Sequence, residues 1–397
     1  MSVQITKIDK WIHGAIPSLL IHICVGSVYC WSLFKEDIAS SMGTSIPKIE
    51  FAFSIAIFFL GMSAAFGGRF IEKHVKQATL LSTLFFCGGL VISVFAIRSG
   101  SILFFFLSYG VLMGIGLGIG YLSPIKTLML WFDKNKGIGT GIVISGFGLS
   151  KALLAPFIVW CNTTHSVYAT IIILSCGSLV CMSLAAIMIK KPNKWNEPEQ
   201  QLSYKKILSF FSNSDYLKIW FFFYLNITCG LSLISFEKDI CLTNGIIAIA
   251  TISSLTALFN TLGRFGYSSI SDIVTDKRKM YAVIFATSIL SCLMYLLKLP
   301  SLTYSVIILL LIINAGYGGG FSCLPILLQS KYSMNNISTL HGVTLSAWAF
   351  AGISGNMLSS FLVDKLGLSY DYVVGIVAVL YASALILTLT IKKNKVK

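Results

Sequence analysis

Apolar residues run along this chain in blocks near twenty residues long, divided by short polar stretches. A helix of about 20 residues crosses a hydrocarbon layer of roughly 30 Å, so each block predicts one spanning helix. The blocks are continuous, without the apolar–polar alternation of a membrane barrel strand. Spans are predicted at 13–34, 49–70, 78–97, 102–126, 138–161 and 166–189, and then at 216–236, 246–269, 279–298, 302–328, 340–363 and 370–391. The longest polar stretch, Lys190–Tyr216, holds Lys190, Lys191, Pro192, Asn193, Lys194, Glu197, Pro198 and Glu199 and reads as a linker. The pattern thus predicts an all-α membrane protein with twelve transmembrane helices: a six-helix bundle over 1–191, a cytoplasmic linker over 192–215 and a second bundle over 216–397.

The two halves repeat at an offset near 201. Phe34-Lys-Glu-Asp-Ile38 closes span one, and Phe236-Glu-Lys-Asp-Ile240 closes span seven. Pro124 in span four answers Pro325 in span ten, each after a glycine run, and Gly141 answers Gly342. Glu72 after span two answers Asp272 after span eight. Four matches in one order predict a six-helix unit used twice in parallel. Such a repeat sets the expected substrate site between the halves near the midplane, with alternating access by rocking.

Composition agrees with the span pattern. The chain is 56% hydrophobic and 11% charged, against about 25% charged in soluble domains. Its net charge of +15 raises the question of nucleic acid, but the placement of the basic residues argues for topology. Lys7, Lys10, Arg69, Lys73, Lys76, Lys134, Lys136, the linker lysines, Lys277, Arg278, Lys279 and the tail from Lys392 fall on one side. The opposite loops hold few, namely Lys35, Lys48, Arg98, Lys238, Lys298 and Lys365. The positive-inside rule then predicts both termini in the cytoplasm, a multi-pass protein of the cell (inner) membrane, and no nucleic-acid partner. The ten cysteines are scattered without a C-x-x-C pair, so neither a metal site nor a disulfide framework is expected. The first span has no cleavage site and reads as a retained helix.

Charge inside a span costs several kcal/mol unless it faces a partner or cavity. Arg264 lies in span eight, about 12 Å along the helix from Asp272 at 1.5 Å per residue, too deep to snorkel easily. Span interiors hold no acidic residue placed to meet it. An anionic substrate is the functional reading, because the planar guanidinium fork matches a carboxylate. Satisfaction by helix carbonyls and by Asn260, one turn away, is the structural one. Lys151 in span five lies one turn from Phe147, which answers Trp348 at the 201 offset. Substrate binding or coupling stands there against a hydrogen-bonded lysine within the bundle. Lys126 lies nearer the inner surface and is expected to snorkel.

His22, Gly26 and Tyr29 share a face of span one. His22 reads as a packing residue, or as the proton-coupling candidate if protons are carried. Tyr29, Trp31, Tyr121 and Trp348 can wall a small planar acid or simply pack. The glycines at 114, 116, 118 and 120, at 137, 139, 141, 146 and 148, and at 316, 318, 319 and 320 predict close helix contacts, or a flexing seam. No nucleotide loop is implied, because these glycines sit within hydrophobic spans.

Several of these segments resemble the oxalate/formate antiporter-like (monocarboxylate transporter-like) branch of the major facilitator superfamily. Gly26-Ser-Val-Tyr-Cys-Trp-Ser-Leu-Phe34 is similar to its G-x-x-Y-x-W-S-x-F motif. So are Gly114 through Tyr121 with Pro124, Trp131 and Phe132, the stretch Gly137–Gly148, and Asn260-Thr-Leu-Gly-Arg264 with Ser271-Asp272. The resemblance covers nearly the whole chain. It implies the major facilitator fold, exchange or symport of small mono- or dicarboxylates with a proton or counter-anion as partner, and Arg264 binding a carboxylate. Substrate-binding candidates are Arg264, Lys151, Tyr29, Tyr121, Trp348 and Asn260, and a monomer without cofactor is expected. Trp348 stands where the oxalate carrier has a lysine, Asn356 where a proline is common, and Gln329-Ser330 at an acidic position. The expectation is therefore a monocarboxylate such as pyruvate, lactate or formate over oxalate, unless Lys151 supplies the second cation. The alternatives are an exporter of a drug or other metabolite, or a transport-dead sensor on the same fold. An intramembrane enzyme lacks its needed constellation, such as H-E-x-x-H or paired aspartates.

Overall fold

The computed structural model describes residues 8–196 and 202–392. Lys7, linker residues Glu197, Pro198 and Glu199, and the lysines beyond Lys392 lie outside the described residues. Long helices form over α1 (Trp11–Leu33), α2 (Ile46–Lys73), α3 (Val75–Arg98), α4 (Ile102–Trp131), α5 (Lys136–Thr164) and α6 (Val167–Met188). They continue with α7 (Ser214–Ile234), α8 (Ile249–Ile273), α9 (Arg278–Leu296), α10 (Leu302–Tyr332), α11 (Ile337–Ser360) and α12 (Tyr370–Leu389). Each falls within a few residues of a predicted span, and no strand occurs among the described residues. Helices are what an apolar solvent demands, since every backbone N–H and C=O finds its partner within the segment.

Ten of these helices are long and apolar enough to cross a membrane. The other two, α8 and α11, are diluted by polar residues. Asn260, Arg264 and Asp272 lie in α8, and Thr339, His341 and Asn356 in α11. These same helices carry much of the chemistry singled out above.

The chain forms two compact units. One comprises Met1–Gln201 with Met334–Ala349, the other Leu202–Ser333 with Phe350–Lys397. In the first unit, glycines let backbones touch. A Cβ added at Gly118 of α4 would lie 2.1 Å from the carbonyl of Leu60 on α2. Likewise, one at Gly342 of α11 would lie 2.2 Å from the carbonyl of Ala64. In the second unit, α8 and α10 meet reciprocally. A Cβ at Gly263 would stand 2.1 Å from Ala315 O, and one at Gly318 would stand 2.2 Å from Asn260 O. Small residues at such seams give the van der Waals contact that replaces the hydrophobic effect in lipid.

Lys126 departs from its expected behaviour. Instead of reaching outward it is buried and ion-paired with Glu72, both side chains being 2% exposed. The sequence reading placed Glu72 beyond span two, but α2 runs on through it. Its Oε2 also accepts the backbone N–H of Thr339 at 3.0 Å, in the first turn of α11. A carboxylate at a helix N-terminus meets both orphan donors and the positive end of the dipole. Snorkelling loses because a partner sits within reach, and a buried pair left half-made costs about 3–5 kcal/mol.

The seam in the second unit predicts a contrast. Gly318→Ala forces the α8–α10 backbones apart and should cost about 1–3 kcal/mol. Gly375→Ala, whose new methyl meets nothing within 4 Å, should leave stability unchanged or raise it slightly. Thermal unfolding of the purified variants measures both, and equal melting temperatures would refute the seam.

Candidate functional site

The second unit holds Arg264, the buried guanidinium that the sequence singles out. Arg264 is fully buried. Its Nε donates to Asn260 Oδ1 at 2.8 Å, one turn back on α8. The guanidinium carbon stands 5.4 Å from the centre of the Phe321 ring on α10. Gly318 makes this possible: an added Cβ there would come within 3.0 Å of Arg264 Cγ as well as striking Asn260 O. The absent side chain on α10 thus lets the arginine stem lie against that helix. The amide holds Nε and the guanidinium lies over the ring, which restricts its motion before any ligand arrives. A preset planar fork binds carboxylate with less ordering cost than a mobile one.

The first unit gathers aromatic rings from four helices. His22 of α1 donates or accepts through Nε2 at 2.8 Å from the carbonyl of Tyr121 on α4, and the two rings stack at 5.1 Å. Tyr121 meets Phe147 of α5 and Trp348 of α11, each edge-on at 5.3 Å. Phe147 and Trp348, matched by the internal repeat, touch each other at 6.1 Å. Tyr29 closes on Phe147 at 5.0 Å. Gly26 seats α1 here, since a Cβ there would lie 2.6 Å from the Phe147 carbonyl. Offset and edge-to-face rings of this kind attract through their quadrupoles.

Three expected wall residues, Tyr29, Tyr121 and Trp348, therefore share one cluster with His22. Trp31 does not join them. It packs with Phe53, Phe105 and Tyr109, at 5.9, 6.5 and 4.7 Å, because two residues on from Tyr29 it points to another side of the helix. Lys151 is partly exposed on α5, and it makes no hydrogen bond or ion pair with a described residue. Sequence reasoning missed His341, which lies edge-on to Tyr121 at 6.4 Å. The signal was available, as His341 sits two turns before Trp348 on one helix face. No group of three or more His, Cys, Asp or Glu is placed to hold a metal among the described residues.

The Major Facilitator Superfamily model matches residues 18–356. The chain belongs to that superfamily. Over 395 residues it is 22% identical to the oxalate:formate antiporter of Oxalobacter formigenes, covering 95% of this chain and 90% of the relative. It is 23% identical to monocarboxylate transporter 12 of Xenopus laevis over 387 residues, covering 89% and 82%. These relatives meet the resemblance carried by the sequence motifs. Among solved structures, the superfamily transporter FucP in its outward conformation superposes with a TM-score of 0.71 at 11% identity, over 95% of this chain and 98% of the other. Family membership makes this a multi-pass membrane transporter rather than an enzyme.

The Asn260–Arg264 bond has a measurable consequence. Asn260→Leu leaves Nε buried without that acceptor and should cost about 1.5–3 kcal/mol, the range for a hydrogen bond to a charged group. Thr261→Val, which removes a hydroxyl bonded to its own helix at Ala257 O, should be near neutral. A drop in melting temperature confined to the first variant is expected.

Proposed function

We propose that this protein is a secondary active transporter of small organic anions, and that Arg264 takes the carboxylate. The observation that carries this reading is the guanidinium itself: fully buried in α8 and oriented by Asn260 and Phe321. Holding a charge at such depth costs several kcal/mol. A visiting carboxylate offsets part of that cost only while it is bound, which gives selectivity for acids. The names of the two relatives, an oxalate:formate antiporter and a monocarboxylate transporter, support the same substrate class.

Within that class we favour monocarboxylates such as pyruvate, lactate or formate. Trp348 is an indole in a cluster of rings, where a second cation would be needed to hold a dianion. Tyr29, Tyr121 and Trp348 contact the acid during the cycle on this reading, and Lys151 is the one candidate for a second positive charge. His22 is the titratable candidate for proton coupling. The reading includes twelve spans, with α8 and α11 crossing despite their polar content, both termini in the cytoplasm of the inner membrane, a monomer, and alternating access.

Uptake of labelled acids into proteoliposomes tests it. Arg264→Ala should reduce carboxylate uptake by roughly 100-fold or more, the scale of losing one partner of a buried charge pair, while the protein stays folded by thermal melting. Uptake at the wild-type rate removes Arg264 from the binding site. If Lys151 and Arg264 jointly hold a dianion, Lys151→Gln should impair oxalate more than lactate or formate. Equal effects on both acids would exclude a two-cation clamp.

A further inference from the structure

We propose that His341 is a ligand for the carboxyl group of the carried acid, an inference that rests on the carboxylate-transporter reading above. His341 lies in the second turn of α11 and is 1% exposed. Its Nε2 is buried and has no hydrogen-bond partner among the described residues. Buried side-chain nitrogens are satisfied in the large majority of cases, and the exceptions need a reason.

The surroundings supply one. The imidazole stands edge-on to Tyr121, and Tyr121 also contacts Trp348 two turns further along α11. One helix face thus presents an imidazole and an indole to the same tyrosine. The other histidine of the cluster, His22, has its Nε2 engaged by the Tyr121 carbonyl. Lys126 and Glu72 engage each other nearby in the same unit. His341 Nε2 is left to meet a group that comes and goes.

Packing alone does not account for a histidine here. Phenylalanine would fill the same space beside Tyr121 without burying an unsatisfied nitrogen. The backbone is also held firmly, because the adjacent Gly342 abuts the carbonyl of Ala64. A carboxyl group is the fitting partner. A neutral imidazole donates to a carboxylate when Nε2 carries the proton, and accepts from a carboxylic acid when it does not. A small flat acid also suits walls made of rings.

The test compares His341→Phe and His341→Gln with wild type and Arg264→Ala, using labelled formate, lactate and pyruvate in proteoliposomes. His341→Phe should raise KM about tenfold or more, the discrimination expected when a polar contact to substrate is removed. Its Vmax should change little and its melting temperature should hold or rise. His341→Gln, which keeps a donor and an acceptor, should return KM to within about threefold of wild type. A residue that only packs would give the reverse: KM unchanged in His341→Phe. That result, with Arg264→Ala inactive, overturns the role of His341 and leaves the carboxylate reading intact. Wild-type protein that carries none of the three acids overturns both. Should His341→Phe fail to fold, His341→Leu set against His341→Gln makes the same comparison, and equal KM values in the two overturn the proposal.

Discussion

Placing a charge among apolar helices is costly, and the two buried cations Arg264 and Lys126 are each met by other side chains. Arg264 is held by an amide on its own helix and a ring on the next. Lys126 is neutralised by a carboxylate 54 residues earlier, which also receives the N–H of Thr339, 267 residues beyond it. The cost of leaving any of these half-satisfied, several kcal/mol each, ties the ends of helices together more firmly than apolar contact can in lipid.

Close backbone approach is the second half of the same design. Polar side chains reach their partners because glycine removes the side chains that would stand between helices. Gly318 clears room for the stem of Arg264, and Gly26 seats α1 so that His22 and Tyr29 both meet Phe147. The glycine runs therefore do more than allow tight packing. They decide which functional groups touch.

Arg264, Asn260 and His341, which serve transport on our reading, lie in the two helices that are poor membrane spans by hydropathy. Both α8 and α11 carry polar groups at positions where a purely structural helix would be apolar.

Helix positions were legible in the sequence to within a few residues, because block length and hydropathy are local properties that lipid reads directly. The all-helical superfamily fold was legible too, in motifs that the family match meets. So was the Asn260–Arg264 pair, whose four-residue spacing puts both on one helix face. What the linear pattern left open lies in contacts between segments far apart in the chain. That Glu72 answers Lys126, and that His22 and Tyr121 of different helices stack on each other, depend on helix rotation and close approach. Those are set by the meeting of glycine seams on different helices, and spacing along one helix carries no information about which neighbour it will face.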